Sequence, residues 1–352
     1  MKALRYHGRT NVRIDEVDEP RPGPGQVTVD IAVAGICGTD VHEYKGGPIA
    51  IPLTESHPLT GQHAPVVLGH EFSGRVKELG TDVAGLSVGQ RVAGSAVISC
   101  GNCPSCTDGH RHLCATLGFH GLSGDGGAFA SVDVIDADLL HIIPESVSDE
   151  VGALLEPLAT GVHAVARSGI GRGASVLIVG GGPIGLMTAV AALAAGAAQV
   201  IVSEPSKARA SAAARLGATT VLDPFAVDVT AEARRLTDGL GVDAAFDAAA
   251  VATSFGTALG SLRPRGVLVN VAVWEQPTPL QPNALLFTEA TITGALAYTH
   301  DEFERAIEIA ASGQFELETL VSRRISLADA VSEGFERLAT APGDDIKVLV
   351  TP

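Results

Sequence analysis

From about position 174 onward, apolar segments of strand length alternate regularly with helical segments, and this alternation constrains the fold more than any other feature. Parallel strands are buried on both faces and are joined by crossover helices, so the pattern predicts an α/β protein with a doubly wound parallel sheet. The predicted strands are 174–179, 199–203, a weak strand from 221, 242–247, 266–273 and 291–296, and the helices between them are 183–195, 207–216 and 228–237.

The first 150 residues differ, because short β-type runs are separated there by turns rich in glycine and proline. They predict an irregular β-rich domain, and 352 residues are too many for one ordinary core, so we expect two domains. The segment 46–65 has no clear period, and such long loops are usually functional or disordered. The other predicted elements are a helix at about 148–167 interrupted by Pro157, helices at 301–312 and 327–338, and a last strand at 346–351.

The first strand of the predicted sheet runs into Gly-Gly-Gly-Pro-Ile-Gly at 180–185, and Glu204 ends the next strand. This is the G-x-G-x-x-G turn in the strand–turn–helix context of a dinucleotide site, where backbone approaches a pyrophosphate at a helix N-terminus. The alternative is a plain strand–helix turn. The candidate cofactor-binding residues are Gly180, Gly182, Pro183, Ile184, Gly185, Glu204 and Arg209.

Glu204 favours NAD over NADP, because a carboxylate accepts hydrogen bonds from ribose hydroxyls and repels a 2′-phosphate. Lys207 and Arg209 follow closely, and either could meet a phosphate instead. Their alternative interpretation is that of exposed charges in the first turn of a helix.

Four of the five cysteines lie in one segment with the spacing C-x2-C-x2-C-x7-C. This is typical of a closed tetrahedral zinc site, which would hold together the segment 99–115 with its few apolar residues. Buried free thiols or redox cysteines are the alternative. His110 and His112 are redundant as ligands, so we expect them to be solvated. The predicted structural ligands are Cys100, Cys103, Cys106 and Cys114.

The fifth cysteine, Cys37, and His70 indicate a second metal site of the open, catalytic kind, which usually has three protein ligands. No cysteine remains for the third ligand, which leaves Glu71, beside His70, or Glu156 in L-L-E-P-L-A. The alternative for Glu156 is a partly exposed residue packed beside Pro157. Two metal sites of different kinds in one chain point to an enzyme.

Several side chains near Cys37 could move a proton or support the site. Thr39 supplies a hydroxyl and His42 an imidazole, so together they could carry a proton from a reacting group to water. A lone histidine is more often structural, but the position of His42 five residues after Cys37 favours the relay. We expect Asp40 and Glu43 to form local hydrogen bonds.

The formal net charge of −16 argues against a nucleic-acid partner, and the segment 91–120 contains only two basic residues, Arg91 and Arg111. The N-terminal residues lack the apolar core of a signal peptide, and the apolar runs near 176–202 are interrupted by polar residues, so we expect no membrane span. An odd number of cysteines argues against a disulfide framework. These features favour a cytoplasmic protein.

The motifs G-I-C-G-T-D-V-H at 35–42, G-H-E-F-S-G at 69–74, the cysteine quartet and G-G-G-P-I-G at 180–185 together resemble the zinc-dependent medium-chain dehydrogenase/reductase family over essentially the full length. The resemblance implies a GroES-like catalytic domain at 1–157, a Rossmann NAD-binding domain at 158–296, and a return to the first domain at 297–352. It also implies an active site between the domains, one catalytic and one structural zinc per chain, Thr39 and His42 as relay residues, and a homodimer or homotetramer.

Within this family the chain is most similar to the (R,R)-2,3-butanediol dehydrogenase branch, on stretches such as G-G-P-I-A-I-P at 46–52, L-L-E-P-L-A at 154–159 and V-A-V-W-E at 271–275. In this branch and its neighbours Glu71 and Glu156 would share roles around the zinc. The similarity implies NAD-linked interconversion of a vicinal secondary alcohol and its ketone, such as 2,3-butanediol and acetoin, so the expected partners are small alcohols and ketones. The alternatives are a polyol, sorbitol or threonine dehydrogenase and, outside enzymes, an NAD- and zinc-binding scaffold or sensor.

Overall fold

The chain forms two compact units in the computed structural model, which describes residues 1–341 and 343–352. Unit 1 comprises Met1–Glu156, Thr299–Ala311 and Val321–Pro352, and unit 2 comprises Pro157–Tyr298 and Ser312–Leu320. The C-terminal segment is therefore divided between the units, because the short stretch 312–320 lies with unit 2.

The strands of the described residues are numbered in chain order. They are β1 Lys2–Gly8, β2 Asn11–Glu16, β3 Gln26–Gly35, β4 Val66–Val67, β5 Glu71–Leu79, β6 Arg91–Gly94, β7 Val97–Ile98, β8 Gly118–Phe119, β9 Val132–Asp136, β10 Leu140–Ile142, β11 Ser175–Val179, β12 Gln199–Ser203, β13 Thr220–Leu222, β14 Val242–Asp247, β15 Leu262–Asn270, β16 Thr291–Gly294, β17 Val321–Ser326 and β18 Lys347–Thr351.

The helices are numbered in the same way. They are α1 Gly38–Gly46, α2 Pro104–Thr107, α3 Asp149–Ala153, α4 Leu155–Ser168, α5 Pro183–Ala194, α6 Lys207–Arg215, α7 Val229–Leu236, α8 Ser254–Ser261, α9 Pro282–Thr288, α10 His300–Ala311 and α11 Arg337–Thr340. Short 3₁₀ turns lie at Arg111–Leu113, Ala137–Leu139, Leu317–Leu320 and Leu327–Asp329, and a π-helix lies at Ala330–Glu336. No helix among the described residues is both long and apolar enough to cross a membrane.

Unit 1 is built on a seven-stranded sheet with the order β10-β6-β5-β3-β18-β17, in which β9 also pairs with β3. The C-terminal strand β18 pairs antiparallel with β3, so the end of the chain completes the sheet that the beginning starts. A three-stranded sheet, β2-β1-β4, packs into the same apolar core, whose largest side chains include Tyr6, Phe72, Phe129 and Phe335. This unit is the expected irregular β-rich domain.

The loop between α1 and β4 is irregular, as the sequence predicts, but it is tied to α1 by one buried carboxylate. Glu43 accepts backbone N–H bonds from Ile49, at 3.0 Å, from Ile51, at 3.2 Å, and from Ala50 between them. A carboxylate that accepts several backbone donors is strongly held in one place, so Glu43 fixes the start of the loop. The prediction of local hydrogen bonds for Glu43 is confirmed.

Unit 2 contains the predicted doubly wound sheet, six parallel strands in the order β13-β12-β11-β14-β15-β16. Numbered within the unit this is 3-2-1-4-5-6, the order of a Rossmann fold. The sequence pattern misses α8 and α9, because α8 carries two glycines and α9 has no buried side chains that would give it an apolar period.

Two predicted helices differ from the structure. The helix expected at 148–167 is two helices that meet at Leu154, and Ser148 caps the first by accepting the Val151 N–H at 3.2 Å. Pro157 does not interrupt α4, because it lies in the first turn, where its missing N–H has no helical partner to lose. The helix expected at 327–338 is a 3₁₀ turn, a π-helix and a short α-helix in succession.

Candidate active site

The pairing of β3 with β5 brings the isolated cysteine to the His-Glu pair. Gly35 at the end of β3 lies opposite Glu71 at the start of β5. Cys37 follows β3 as the residue that precedes α1, and His70 directly precedes β5. A Cβ at Gly35 would overlap the Glu71 carboxylate, so glycine is required for this close approach. The register of the sheet therefore assembles the cluster.

Cys37, His70 and Glu71 each offer one donor atom, and these atoms lie within 4.8 Å of one another. His70 and Glu71 are buried, whereas Cys37 is half-buried. The Thr39 hydroxyl lies 3.6 Å from Cys37 Sγ, and the half-buried His42 follows three residues later on α1. A thiol, an imidazole and a carboxylate at such distances are the donor types that zinc prefers, so the residues fit the metal.

A buried carboxylate, Asp40, lies behind this cluster. The Cys37 N–H donates to Asp40 Oδ2 at 3.0 Å. The other carboxylate oxygen, Asp40 Oδ1, lies 3.6 Å from His70 Nδ1. Neither Asp40 Oδ1 nor His70 Nδ1 has a hydrogen-bond partner among the described residues. Burial raises the pKa of Asp40 to about 6. Burial opposes charge on His70, but Asp40 and Cys37 raise its pKa well above the usual value. A carboxylate beside a metal-binding imidazole commonly fixes the ring orientation, and the predicted local hydrogen bond of Asp40 is present.

Glu71 is held by a buried lysine from the last strand. Lys347 Nζ donates to both carboxylate oxygens of Glu71, at 2.7 and 2.5 Å, and to the Ile36 carbonyl at 3.3 Å. Both partners of this ion pair are essentially inaccessible to solvent, with side-chain exposures of 2% and 0%. Burial opposes charge on Lys347, but Glu71 and Cys37 raise its pKa. The carboxylate of the cluster is therefore already paired with a fixed cation.

Glu156, the other candidate carboxylate, lies half-buried in the first turn of α4. Burial opposes charge on His70 and on Lys347, and Glu156 is among the acidic groups that raise both pKa values. Its oxygens are not among the donor atoms that lie within 4.8 Å of Cys37 and His70. The structure thus brings Glu71 into the cluster, bound to Lys347, and leaves Glu156 close to it.

The four clustered cysteines form a separate set of donors in unit 1. The sulfur atoms of Cys103 and Cys106 are 3.5 Å apart, and those of Cys100–Cys106 and Cys103–Cys114 are each 4.0 Å apart. A tetrahedron of Zn–S bonds of about 2.3 Å has edges of about 3.8 Å, so the four thiols fit one zinc ion. All five cysteines of the chain are free of disulfides.

Backbone N–H groups point at these sulfurs, which is a further sign of thiolate character. Cys114 Sγ accepts from the Cys100 and Thr116 amides at 3.3 and 3.4 Å, and Cys103 Sγ accepts from Ala115 at 3.5 Å. Burial opposes ionisation of Cys114, but the hydrogen bonds outweigh it and lower its pKa to about 6. Of the two histidines in this lobe, His110 is exposed as expected, whereas the expectation for His112 is wrong because the lobe buries it.

The glycine-rich turn after β11 has the geometry of a phosphate-binding turn. Gly180 has φ of 103°, which favours glycine, and a Cβ on Gly185 would overlap the Gly180 carbonyl oxygen. Gly182 precedes α5, which begins at Pro183 and continues through Ile184. Apart from its chain neighbours, no atom lies within 4 Å of the position that a Cβ on Gly182 would take. The turn therefore leaves free space beside the N-terminus of α5, where a phosphate is favourably bound.

Glu204, directly after β12, is buried and lies against this turn. Its two carboxylate oxygens accept backbone N–H bonds from Gly181 at 2.7 Å and from Ser206 at 2.8 Å. It therefore fixes both the glycine turn and the start of α6 with a negative charge. Of the two nearby basic residues, Lys207 is exposed, whereas Arg209 is half-buried rather than exposed.

Sequence reasoning misses two polar side chains that the fold brings to these sites. Lys347 lies 276 positions from Glu71, and only the pairing of β18 with β3 brings them together. Asp247 ends β14 fully buried and accepts from the Trp274 indole N–H at 3.1 Å and the Ala249 amide at 3.1 Å. A charged residue at the carboxyl end of a central parallel strand was the available signal for Asp247. For Lys347 there was no local signal.

Comparison with known proteins identifies the family of both parts of the chain. Residues 23–145 match the alcohol dehydrogenase GroES-like domain, and residues 183–312 match the zinc-binding dehydrogenase family. The chain is 38% identical to the (R,R)-butanediol dehydrogenases of Neisseria gonorrhoeae and Bacillus subtilis, covering 100% of this chain and 99% and 100% of those proteins. It is 32% identical to the sorbitol dehydrogenase of Bacillus subtilis, over 100% of this chain and 97% of that protein.

Solved structures give the same result. The crystal structure of 2R,3R-butanediol dehydrogenase from Bacillus subtilis matches with a TM-score of 0.92 at 38% identity, covering 100% of this chain and 99% of that chain. A zinc-binding dehydrogenase from Sinorhizobium meliloti, bound to NADP, matches with a TM-score of 0.89 at 35% identity and the same coverage. The predicted fold is confirmed, and the chain belongs to the zinc-binding alcohol dehydrogenases of the medium-chain dehydrogenase/reductase family.

Proposed function

We propose that this enzyme interconverts a vicinal secondary alcohol and its ketone, with (R,R)-2,3-butanediol and acetoin as the substrate pair and NAD as the cofactor. The observation that carries the proposal is a donor set of one thiol, one imidazole and one carboxylate in unit 1, in a chain 38% identical over its whole length to two butanediol dehydrogenases. A site with a single thiol is what the resemblance implies for the diol and polyol branches of the family.

Cys37 and His70 would hold a catalytic zinc together with a carboxylate. Bound zinc supplies Lewis acidity that polarises an alcohol or carbonyl oxygen, and bound NAD supplies the hydride acceptor. Because both oxygens of Glu71 accept hydrogen bonds from Lys347, Glu156 is the better third ligand, and Glu71 would form an ion pair with Lys347 beside the metal. Asp40 orients the His70 ring from behind.

Thr39 and His42 would move the proton that an alcohol loses when it is oxidised. The Thr39 hydroxyl is next to Cys37 Sγ, so it can accept a hydrogen bond from a substrate hydroxyl bound beside the metal ligands. His42 lies three residues on along α1, on the same helix face, and its half-buried ring can exchange the proton with water. If Thr39 and His42 carry the proton, Thr39→Val and His42→Ala should each lower kcat without loss of zinc.

The cysteine quartet would hold the second zinc, so that the enzyme carries two zinc ions per chain. All four positions of a tetrahedron are filled by sulfur, which leaves no place for a substrate. The role of this ion is therefore to fold the lobe, in which α2 is a single turn and Leu113 is 48% exposed. Zinc analysis of the purified protein should give two ions per chain.

The cofactor is NAD rather than NADP on electrostatic grounds. The buried Glu204 carboxylate stands against the glycine turn, where a 2′-phosphate would meet a like charge and lose several kcal/mol of binding. The half-buried Arg209 is the residue that could reverse this preference, and one similar structure holds NADP. The measurement is kcat/KM for both cofactors, and Glu204→Ala should reduce the preference for NAD by about tenfold or more.

The substrate test is an NADH-absorbance assay across the stereoisomers of 2,3-butanediol, sorbitol, xylitol and L-threonine. Highest kcat/KM with (R,R)-2,3-butanediol is expected. Faster turnover of sorbitol would favour the second candidate, a polyol dehydrogenase, which the 32% identity to a sorbitol dehydrogenase supports. Reduction of NAD with threonine would indicate a threonine dehydrogenase, and no turnover of any alcohol would favour a binding scaffold or sensor.

The assembly would be a homodimer or homotetramer. Among the described residues β16 is the last strand of the unit 2 sheet, and the side chains of Leu286 and Phe287 on helix α9, which precedes it, are 69% and 81% exposed. A free strand edge beside large exposed apolar side chains is typical of an interface. Phe287→Asp should shift the protein toward the monomer in sedimentation velocity.

A cytoplasmic location completes the proposal. Five free cysteines, four of which are suited to zinc as thiolates, are typical of a reducing compartment. Detection of the protein and its activity in the cytosolic fraction would test this.

A further inference from the structure

Unit 1 contains a third group of metal-type donors, separate from both clusters above. His141, His300 and Glu304 each offer one nitrogen or oxygen atom, and these atoms lie within 4.8 Å of one another. His141 Nδ1 lies 2.5 Å from Glu304 Oε1. The ring centroids of the two histidines are 4.6 Å apart. None of these residues contributes to the proposed reaction.

The local sequence explains why the three side chains meet. His141 is the middle residue of β10, the edge strand of the seven-stranded sheet. Helix α10 starts at His300 behind a capping box, in which the Thr299 N–H donates to Glu302 at 2.7 Å and the Glu302 N–H donates to the Thr299 hydroxyl at 3.3 Å. His300 and Glu304 are spaced i,i+4, so they lie on one face of α10, the spacing at which two helical side chains can bind one ion.

The hydrogen bond to Glu304 satisfies only one of the two ring nitrogens of His141. Its ring is 2% exposed and stacks on Phe303 at 4.1 Å, and its Nε2 has no hydrogen-bond partner among the described residues. An imidazole buried with one nitrogen unsatisfied costs free energy that an apolar side chain of similar size would avoid. Binding of an ion at Nδ1, the nitrogen that faces Glu304, would justify a histidine at this position.

The other two donors are open to solvent. His300 and Glu304 are exposed, so an ion can enter from water and keep water molecules in its remaining coordination positions. Two ligands on a tetrahedral zinc ion with bonds of about 2.0 Å lie about 3.3 Å apart, so Glu304 would have to move from His141 by less than about 1 Å. A half-exposed glutamate at a helix surface can do so by a small change in its side-chain torsions.

We infer that His141, His300 and Glu304 form a third cation site that takes a divalent transition-metal ion and clamps α10 to the edge strand β10. Two imidazoles and one carboxylate favour Zn²⁺, Co²⁺ or Ni²⁺ over Mg²⁺ and Ca²⁺, which prefer all-oxygen sites. The net charge of −16 attracts cations to the surface in general, and Asp301 and Glu302 add negative charge in the first turn of α10.

The test uses the purified holoenzyme, dialysed against metal-free buffer so that only tightly bound ions remain. Titration with Co²⁺, followed by absorbance, should reveal one additional ion per chain with micromolar affinity and weak d–d bands, without the intense sulfur-to-metal charge transfer that a cysteine site produces. His300→Ala and Glu304→Gln should each weaken this binding at least tenfold. Glu308→Gln, one turn further along α10, removes the same charge and should leave it unchanged. Mg²⁺ should not compete.

A second readout is the thermal midpoint, since an ion that binds only the folded chain stabilises it. Micromolar Zn²⁺ should raise the midpoint of the wild type and of Glu308→Gln but not of His300→Ala or Glu304→Gln, all measured with the tightly bound ions in place. Equal Co²⁺ affinity in all four proteins would overturn the inference. So would a spectrum dominated by sulfur charge transfer, or a midpoint rise that survives in both ligand variants.

Discussion

The two cysteine-containing clusters of unit 1 differ in almost every physical respect. The quartet is local, because its four sulfurs come from one short segment and its hydrogen bonds come from neighbouring amides. The other cluster is assembled by tertiary structure, since Cys37 follows β3, His70 and Glu71 begin β5, and Lys347 comes from β18. The quartet is uniform in chemistry, whereas the second cluster mixes a thiol with buried charges.

The quartet is therefore a site that would stabilise the fold when it binds an ion, whereas the second cluster is a site that depends on the fold to hold its residues together. Four thiolates satisfy a tetrahedral ion completely and need nothing else. In the second cluster Asp40 Oδ1 and His70 Nδ1 lack hydrogen-bond partners among the described residues, and a buried lysine neutralises Glu71. Buried polar atoms without hydrogen-bond partners, beside a buried ion pair, are typical of functional sites rather than of structural ones.

The largest expected effect is on activity, from one substitution made in each cluster. Cys37→Ala should lose one zinc per chain and at least about 10³-fold in kcat/KM, because Lewis-acid stabilisation is worth several kcal/mol. Cys106→Ala should also lose one zinc, but the folded fraction should keep kcat within about tenfold of the wild type, because that ion has no place for substrate. Zinc content and NADH-linked rates should be measured on the same samples.

Equal losses of activity in the two variants would break the distinction between the clusters. A matched contrast is available in limited proteolysis of the two variants. The quartet variant should show the greater loss of protection from proteolysis within residues 99–115, since metal binding and folding of that lobe are coupled.

The sequence predicts the quartet more completely than the second cluster, because the quartet is local and the second cluster is assembled by tertiary structure. The quartet can be read from spacing alone, and so can the glycine turn with Glu204, because their members are brought together by local chain geometry. The parallel, doubly wound sheet of unit 2 also follows from its strand–helix alternation. The Lys347–Glu71 pair cannot be read in this way, because it depends on which strands become neighbours in a sheet. The burial of His112 depends likewise on packing that residue type does not reveal.

The next largest effect concerns that buried ion pair. Lys347→Met should destabilise the protein by about 3–5 kcal/mol, because it leaves the Glu71 carboxylate buried without its partner. The double variant Lys347→Met/Glu71→Gln should recover at least half of this loss, since neither side chain of the pair then carries a charge. The apparent midpoint of urea unfolding measures both. A single variant as stable as the wild type would mean that water reaches Glu71.

A smaller effect should distinguish the two carboxylates at the cluster. If Glu156 is the third ligand, Glu156→Gln should speed the loss of the catalytic zinc to a chelator by about 10- to 100-fold. Glu71→Gln should have less effect on zinc retention, because Glu71 is bound to Lys347 in the protein. The reverse order would make Glu71 the direct ligand. The zinc of the quartet, released separately, is the internal control.

The smallest effect on stability is expected at an exposed ion pair, which can be compared with the buried Lys347–Glu71 pair. Arg324 on β17 donates two hydrogen bonds to Glu150, one of them at 2.6 Å, and the two side chains are 53% and 30% exposed. Solvent screens such a pair, so Arg324→Met should cost less than about 1 kcal/mol at pH 7. A cost as large as that of Lys347→Met would show that burial is not what makes the pair at the cluster important.

The pH dependence of this surface pair has a definite sign. The hydrogen bond from Arg324 lowers the pKa of Glu150, so the folded protein binds fewer protons there than the unfolded chain. Its contribution is therefore complete above the unfolded pKa of about 4.3 and is lost as the pH falls through the lower folded value. Urea midpoints of wild type and Arg324→Met should differ slightly at pH 7 and converge toward pH 3. A difference that persists at pH 3 would mean that the arginine stabilises the fold through its packing and not through Glu150.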